Sequence, residues 1–155
     1  MRYSELVESA YTANWTFPST ETMQADWAEF EKKAERKWKG RAQQLGMQWP
    51  MFADYNDFVQ KLKSADVRVL SDEMDRRIHN RSHTDSIDSL KSLVSGYYRP
   101  RDVDRIVNGF ETGAAMPMPI VVEGTGGAWI MAGNTRLDTA GILGLPKKVL
   151  WVNLQ

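Results

Sequence analysis

Apolar residues recur at helical spacing through the first half of the chain. Trp27, Phe30, Ala34 and Trp38 stand three or four apart, with Glu29, Lys32, Lys33, Glu35 and Arg36 between them. That spacing lines one face of an α-helix. Gly40 and Gly46 are candidate ends for this helix, and Trp49-Pro50 is a break. Tyr55, Phe58, Val59 and Leu62 predict a second, shorter amphipathic helix. Val67, Val69 and Leu70 fit a short strand, and Ser71 fits an N-cap for a segment carrying Met74 and Ile78. Ile87, Leu90, Leu93 and Val94 predict another helix closed by Gly96. Pro100 opens the next, with Val103, Ile106, Val107 and Phe110 on one face and Gly113 at its end.

The last third of the chain changes period. Pro119-Ile120-Val121-Val122-Glu123 is a short apolar strand, and Gly124-Thr125-Gly126-Gly127 is a hairpin-type connection. A second apolar run, Ala128 to Ala132, reaches Gly133 and turns into a helix, Asn134 to Gly144. A third run, Val149 to Val152, follows. The expected fold class is α/β, of the α+β kind: a small mixed sheet packed by helices, with a helical N-terminal extension. The division expected is residues 1–66 for the extension and 67–155 for the sheet domain, or one continuous domain. The aromatic stripes of the extension are expected to pack on the sheet or on a second copy of the chain.

Composition narrows the chemistry. The 155 residues carry 20 basic and 20 acidic side chains, so no global basic field marks a nucleic-acid binder. There is no cysteine, which excludes a disulfide scaffold, thiolate catalysis and thiolate zinc sites. No apolar run approaches the roughly 18 residues that span a bilayer. The start, Met1-Arg2-Tyr3-Ser4-Glu5, lacks a signal-peptide pattern. A cytoplasmic setting without membrane contact is the expectation.

The turn at Gly133-Asn134-Thr135-Arg136 carries the most chemistry. Free N–H groups at a helix start, aided by the helix dipole, hold anions. Arg136 adds a planar fork suited to phosphate, and Asn134 and Thr135 add side-chain donors. The alternative is that Gly133 only permits a turn and Arg136 pairs with a surface carboxylate.

In order and residue type, the run from Pro119 to Val152 resembles the ParB/sulfiredoxin superfamily, in particular ParB-like N-terminal domains. Its members share a Pro-Ile-Val-Val-type strand, a hairpin, and a strand leading into Gly-x-x-Arg-Leu-x-x-Ala with Leu-Gly closing the helix. Here those are Pro119 to Val122, Trp129 to Ala132, Gly133 to Ala140 and Leu143-Gly144. The resemblance implies a phosphate-binding turn, a nucleoside triphosphate with Mg²⁺ as ligand, and hydrolysis, phosphoryl transfer or nuclease-type chemistry. It implies a bacterial, plasmid or phage setting. Asn134 stands where sulfiredoxins carry their cysteine, so sulfiredoxin chemistry is excluded. ParB proteins usually have an acidic and then a basic residue after the glycine, where this chain has Asn134-Thr135; the kinase branch favours Asp before it and His after, where this chain has Ala132 and Asn134-Thr135. A chromosome-partitioning ParB would continue into a helix-turn-helix, and the expectation is that this chain is not a complete one. Asn80-Arg81-Ser82-His83-Thr84-Asp85 loosely resembles a second family box that lines the nucleotide site.

The remaining candidates are single side chains. Arg76, Arg77, Arg81, Arg99, Arg101 and Arg105 are dense within thirty residues, a pattern for polyphosphate or DNA backbone, or for solvated helix faces balanced by nearby aspartates. Arg81, Arg99 and Arg101 are expected phosphate ligands. His79 and His83 would share a helix face and could hold a metal if that segment were helical, but Asn80-Arg81-Ser82 reads as a turn; no metal site is assigned. His83 is a candidate for proton transfer, and Glu123 and Asp138 for orienting a water or nucleophile or holding Mg²⁺. Tyr97 and Tyr98 are candidates for base stacking or for core. Three functions stay open: a nucleotide-binding domain with or without turnover, a DNA-associated module with a degenerate site, and a homodimer or protein partner formed through the N-terminal helices.

Overall fold

The computed structural model describes residues 11–94 and 101–155. The chain folds as a mixed α/β protein with small mixed sheets packed by helices. Strand β1 (Asn14–Thr16) leads into α1 (Thr20–Lys33). The Ser19 hydroxyl caps this helix by accepting from the Thr22 N–H at 3.2 Å. The helix does not stop at Gly40. It passes through a π-helical turn, Ala34–Trp38, into α2 (Lys39–Leu45) and ends at Gly46, φ 66°. The wider turn re-aims the apolar stripe, so Phe30, Trp38, Ala42 and Leu45 all reach one core.

Helix α3 (Tyr55–Lys63) starts from a reciprocal cap. The Asp54 carboxylate accepts from the Asp57 N–H, and the Asp57 carboxylate accepts from the Ala53 N–H. Trp27, Phe30, Phe52 and Phe58 interlock behind these helices with ring centroids 5.1–6.1 Å apart. Burial of each such ring stabilises the fold by about 1.5–3 kcal/mol.

The strands are β2 (Asp66–Val69), β3 (Ile78–His79), β4 (Ala115–Pro117), β5 (Ile120–Gly124), β6 (Gly127–Ala132) and β7 (Lys148–Asn153). The main sheet has the order β2-β7-β5-β6-β3. β5 and β6 are the predicted hairpin, β5 and β7 run parallel, and the two-residue β3 runs parallel to β6. β1 and β4 form a separate parallel pair. The remaining helices are α4 (Asp72–Arg77), α5 (Ile87–Val94), α6 (Arg101–Thr112) and α7 (Asn134–Ile142). Ser71 caps α4 by accepting from the Met74 N–H at 3.1 Å.

Strand alternation divides the sheet between two cores. Ile120, Val122, Leu150 and Val152 face the N-terminal helices, whereas Val121, Ile130, Val149 and Trp151 share the opposite core with Leu137 of α7. The aromatic stripes therefore pack on the sheet, and the N-terminal extension shares a core with it. Leu90, Val94 and Val103 join α5 to α6 in a smaller cluster. Among the described residues, no helix is long and apolar enough to cross a membrane.

Candidate functional site: an uncapped helix start in a basic cleft

Strand β6 ends at Ala132, and Gly133 turns the chain into α7 with φ 87°. A Cβ at this position would lie 2.8 Å from the Pro119 Cα and 2.8 Å from the Arg136 Nη2. Only glycine satisfies both the left-handed backbone and the close approach. Gly133 is also the N-cap and has no side chain to offer the helix. The first N–H groups of α7 are thus left to water or a ligand, with the positive end of the dipole behind them.

This turn lines a cleft of about 730 Å³. Its walls come from α1, the π-helical turn and Arg41 of α2, from residues 80–82, and from α5 and α6. Among the described residues, its lining carries six basic and three acidic side chains: Lys33, Lys37, Arg41, Arg81, Arg105 and Arg136 against Asp26, Glu29 and Asp102. Such a wall concentrates anions even on a chain with no net charge.

Arg136 folds back over its own turn. Its Nε donates to the Pro117 carbonyl at 3.1 Å, while its Nη2 is buried with no hydrogen-bond partner. Burial lowers the pKa of the guanidinium, and the nearby charge of Asp26 acts against that. Asp26, on α1, mirrors it: Oδ2 is buried and has no partner. Burial pushes the Asp26 carboxyl above the usual carboxylate range, Arg136 pulls it back, and Glu29 adds to the rise.

The segment after β3 is pinned to the turn. Asn80 has a left-handed backbone, φ 68°. The Asn134 amide donates to the Asn80 carbonyl at 3.0 Å and the Ser82 hydroxyl at 3.1 Å. Its Oδ1 accepts from the Arg81 guanidinium and from the Ser82 N–H. Arg81 grips both oxygens of Asp75, and the two side chains are 2% and 3% exposed. Lys147 bridges the same Asp75 and Asp72, at 2.9 and 3.0 Å. Burial alone would raise the Asp75 carboxyl, but hydrogen bonds from Arg81 and Lys147 outweigh it and hold it below the usual range.

The predicted site residues separate on this map. Gly133, Asn134, Thr135, Arg136 and Arg81 meet at the cleft, but Arg81 and Asn134 use their side chains to fasten the 80–82 segment rather than to face a ligand. Asp138 is 4% exposed and accepts from the Thr84 N–H and hydroxyl; burial raises its carboxyl, and the Thr84 bonds and nearby Arg81 and His83 oppose the rise. His83 is exposed beside it in a loop, and His79 lies in β3, so the two histidines share no helix face. Glu123 does not join the site. It lies toward the hairpin end of β5, opposite the Gly133 end of β6, and accepts from the Trp151 indole N–H at 3.1 Å. Arg101 opens α6, and Arg99, Tyr97 and Tyr98 lie outside the described residues. Among the described residues, no three His, Asp or Glu side chains group to hold a metal.

The sequence reading missed Asp26, Lys33, Lys37 and Arg41. A signal for them exists: residues 26, 29, 33, 37 and 41 are all charged and recur at steps of three or four beside the aromatic stripe. Arg41 is further fixed over the Trp38 and Trp129 rings at 4.7 and 4.5 Å. No protein-family model, curated protein or solved structure matches the chain.

Proposed function

We propose that the cleft at Gly133–Arg136 binds the phosphate groups of a nucleotide, and that the chain is a ParB/sulfiredoxin-like domain built for that purpose. One observation carries the reading: a buried, unpaired Arg136 Nη2 lies at an uncapped helix start inside a basic-walled cleft. A buried guanidinium nitrogen without an acceptor is costly in an unliganded protein. A phosphate oxygen would satisfy it together with the free N–H groups of the turn. The motif residues Gly133, Arg136, Leu137 and Ala140 support a nucleoside triphosphate as ligand. Mg²⁺ would arrive with the triphosphate, since of the three cleft carboxylates Glu29 lies within 4 Å of Lys32 and Lys33 and Asp102 within 4 Å of Arg105, which leaves Asp26 alone. Any turnover would be phosphoryl transfer or hydrolysis, resting on charge stabilisation by the turn and Arg136.

The stripe of Lys33, Lys37 and Arg41 on the opposite wall favours a second reading, contact with a nucleic-acid backbone. A thermal-shift panel of nucleoside mono-, di- and triphosphates with Mg²⁺, on the wild type and Arg136→Ala, tests the first. The expected outcome is a rise in melting temperature with one nucleotide, absent in the variant. No shift with any nucleotide, alongside DNA binding that weakens steeply with salt, would replace it with the second.

A further inference from the structure

The cleft holds two buried, unpaired atoms of opposite character, Arg136 Nη2 and Asp26 Oδ2. Both residues line the same cavity, and each feels the other's charge. Neither atom has a hydrogen-bond partner among the described residues. A fully ionised phosphoryl group would satisfy only one of them. It would complete Arg136 and be repelled by Asp26, whose carboxylate accepts hydrogen bonds and donates none when ionised. We propose that Asp26 is a specificity-determining residue, and that the ligand of this cleft carries a neutral hydrogen-bond donor, a hydroxyl or amino group, close to its phosphate. This inference rests on the phosphate reading of the Gly133–Arg136 turn and sharpens it.

The two atoms make paired demands on a ligand. Arg136 and the helix start attract any phosphate. Asp26 penalises one that brings no donor, because the carboxylate is then both unpaired and next to negative charge. A ligand offering a hydroxyl or an N–H satisfies both atoms at once. Sites built around a buried polar group reject analogues that lack its partner far more strongly than apolar pockets reject a missing methylene. Nucleotides meet the demand from two sources, the sugar hydroxyls and the exocyclic amine of the base; inorganic tripolyphosphate offers only a P–OH, which it loses at alkaline pH.

Isothermal titration separates these cases. The titrants are inorganic tripolyphosphate, each common ribonucleoside triphosphate and its 2′,3′-dideoxy analogue, each with and without Mg²⁺, at a pH alkaline enough to leave the terminal phosphates fully ionised. The proteins are the wild type, Asp26→Ala and Asp26→Asn. The expected result is that Asp26→Ala weakens the preferred ribonucleotide roughly tenfold or more, while tripolyphosphate binds as well as before or more tightly. Loss of the Asp26 effect with the dideoxy analogue would assign the donor to the sugar; its persistence would assign it to the base. If both titrants tighten together, or neither changes, Asp26 is only a counter-charge and the inference is overturned, with the phosphate site intact. Wild type that binds tripolyphosphate but no nucleotide overturns it in the same way. Wild type that binds neither overturns the phosphate reading itself. Should Asp26→Ala not fold, Asp26→Asn, which keeps the shape, removes the charge and leaves a weaker acceptor, carries the same comparison.

Discussion

Two charged clusters meet at the Gly133 turn, and they are built in opposite ways. On one side Asp75 is closed in by Arg81 and Lys147, with Arg81 reaching on to Asn134. On the other, Asp26 and Arg136 each keep a buried atom without a bond. Both clusters hold charged atoms buried from water, so a desolvation cost applies to each. The first offsets that cost internally, which makes it architecture: it fastens residues 80–82 to the turn. The second leaves the cost uncompensated, which is what supports the proposed ligand there. Charge and burial alone do not distinguish the two roles. The count of satisfied atoms does.

The closed cluster is the more sensitive of the two to a single substitution. Arg81→Ala leaves the Asp75 carboxylate buried with Lys147 alone, and the expected loss is about 3–5 kcal/mol, read as a lower denaturant midpoint. Gly133→Ala comes next. The left-handed backbone and the contact with the Pro119 backbone predict a loss of about 1–3 kcal/mol, with nucleotide-induced stabilisation lost as well.

Acid titration gives the two clusters opposite signs. Asp75 is held below the usual carboxylate range, so its contribution is present above that range and fades as pH falls through its lowered folded value. Asp26 is raised, so its contribution is present below the unfolded carboxylate value and is lost as pH rises through its folded value. Asp26→Asn is therefore expected to stabilise the unliganded protein at neutral pH, on the order of 1 kcal/mol, with the gain vanishing in acid. Asp75→Asn should do the reverse, destabilising at neutral pH and mattering least in acid. Paired thermal melts from pH 3 to 8 read both; a neutral-pH loss on Asp26→Asn would mean that Asp26 is stabilised like Asp75.

Much of the fold could be read from local pattern, because its causes are local. The stripe of Trp27, Phe30 and Trp38, the caps at Ser71 and Gly46, and the change to strand period at Pro119 all act within a few residues. The π-helical turn at Ala34–Trp38 was not legible, since it answers to the shape of the core beneath it. The two-residue β3 is too short to carry a period. The site was legible only on the motif side. Gly133 and Arg136 announce themselves through a strand, a glycine and a helix, but Asp26 becomes a site residue only when α1 packs across the sheet. Arg81 misled for the same reason. In sequence it sits among solvated arginines, and its burial against Asp75 depends on contacts with residues 134 and 147.

The paired strands at each end of the N-terminal segment carry a mechanical consequence. β1 is zipped to β4 ahead of α1, and β2 is zipped to β7 after α3. The segment that delivers Asp26 is thus a buckled strap, fastened at both ends, rather than a flap with a loose tip. On this wall of the cleft, the part left to flex is its middle, where the π-helical turn already departs from regular helix. A single nick between residues 46 and 54 would leave both pieces strapped in place.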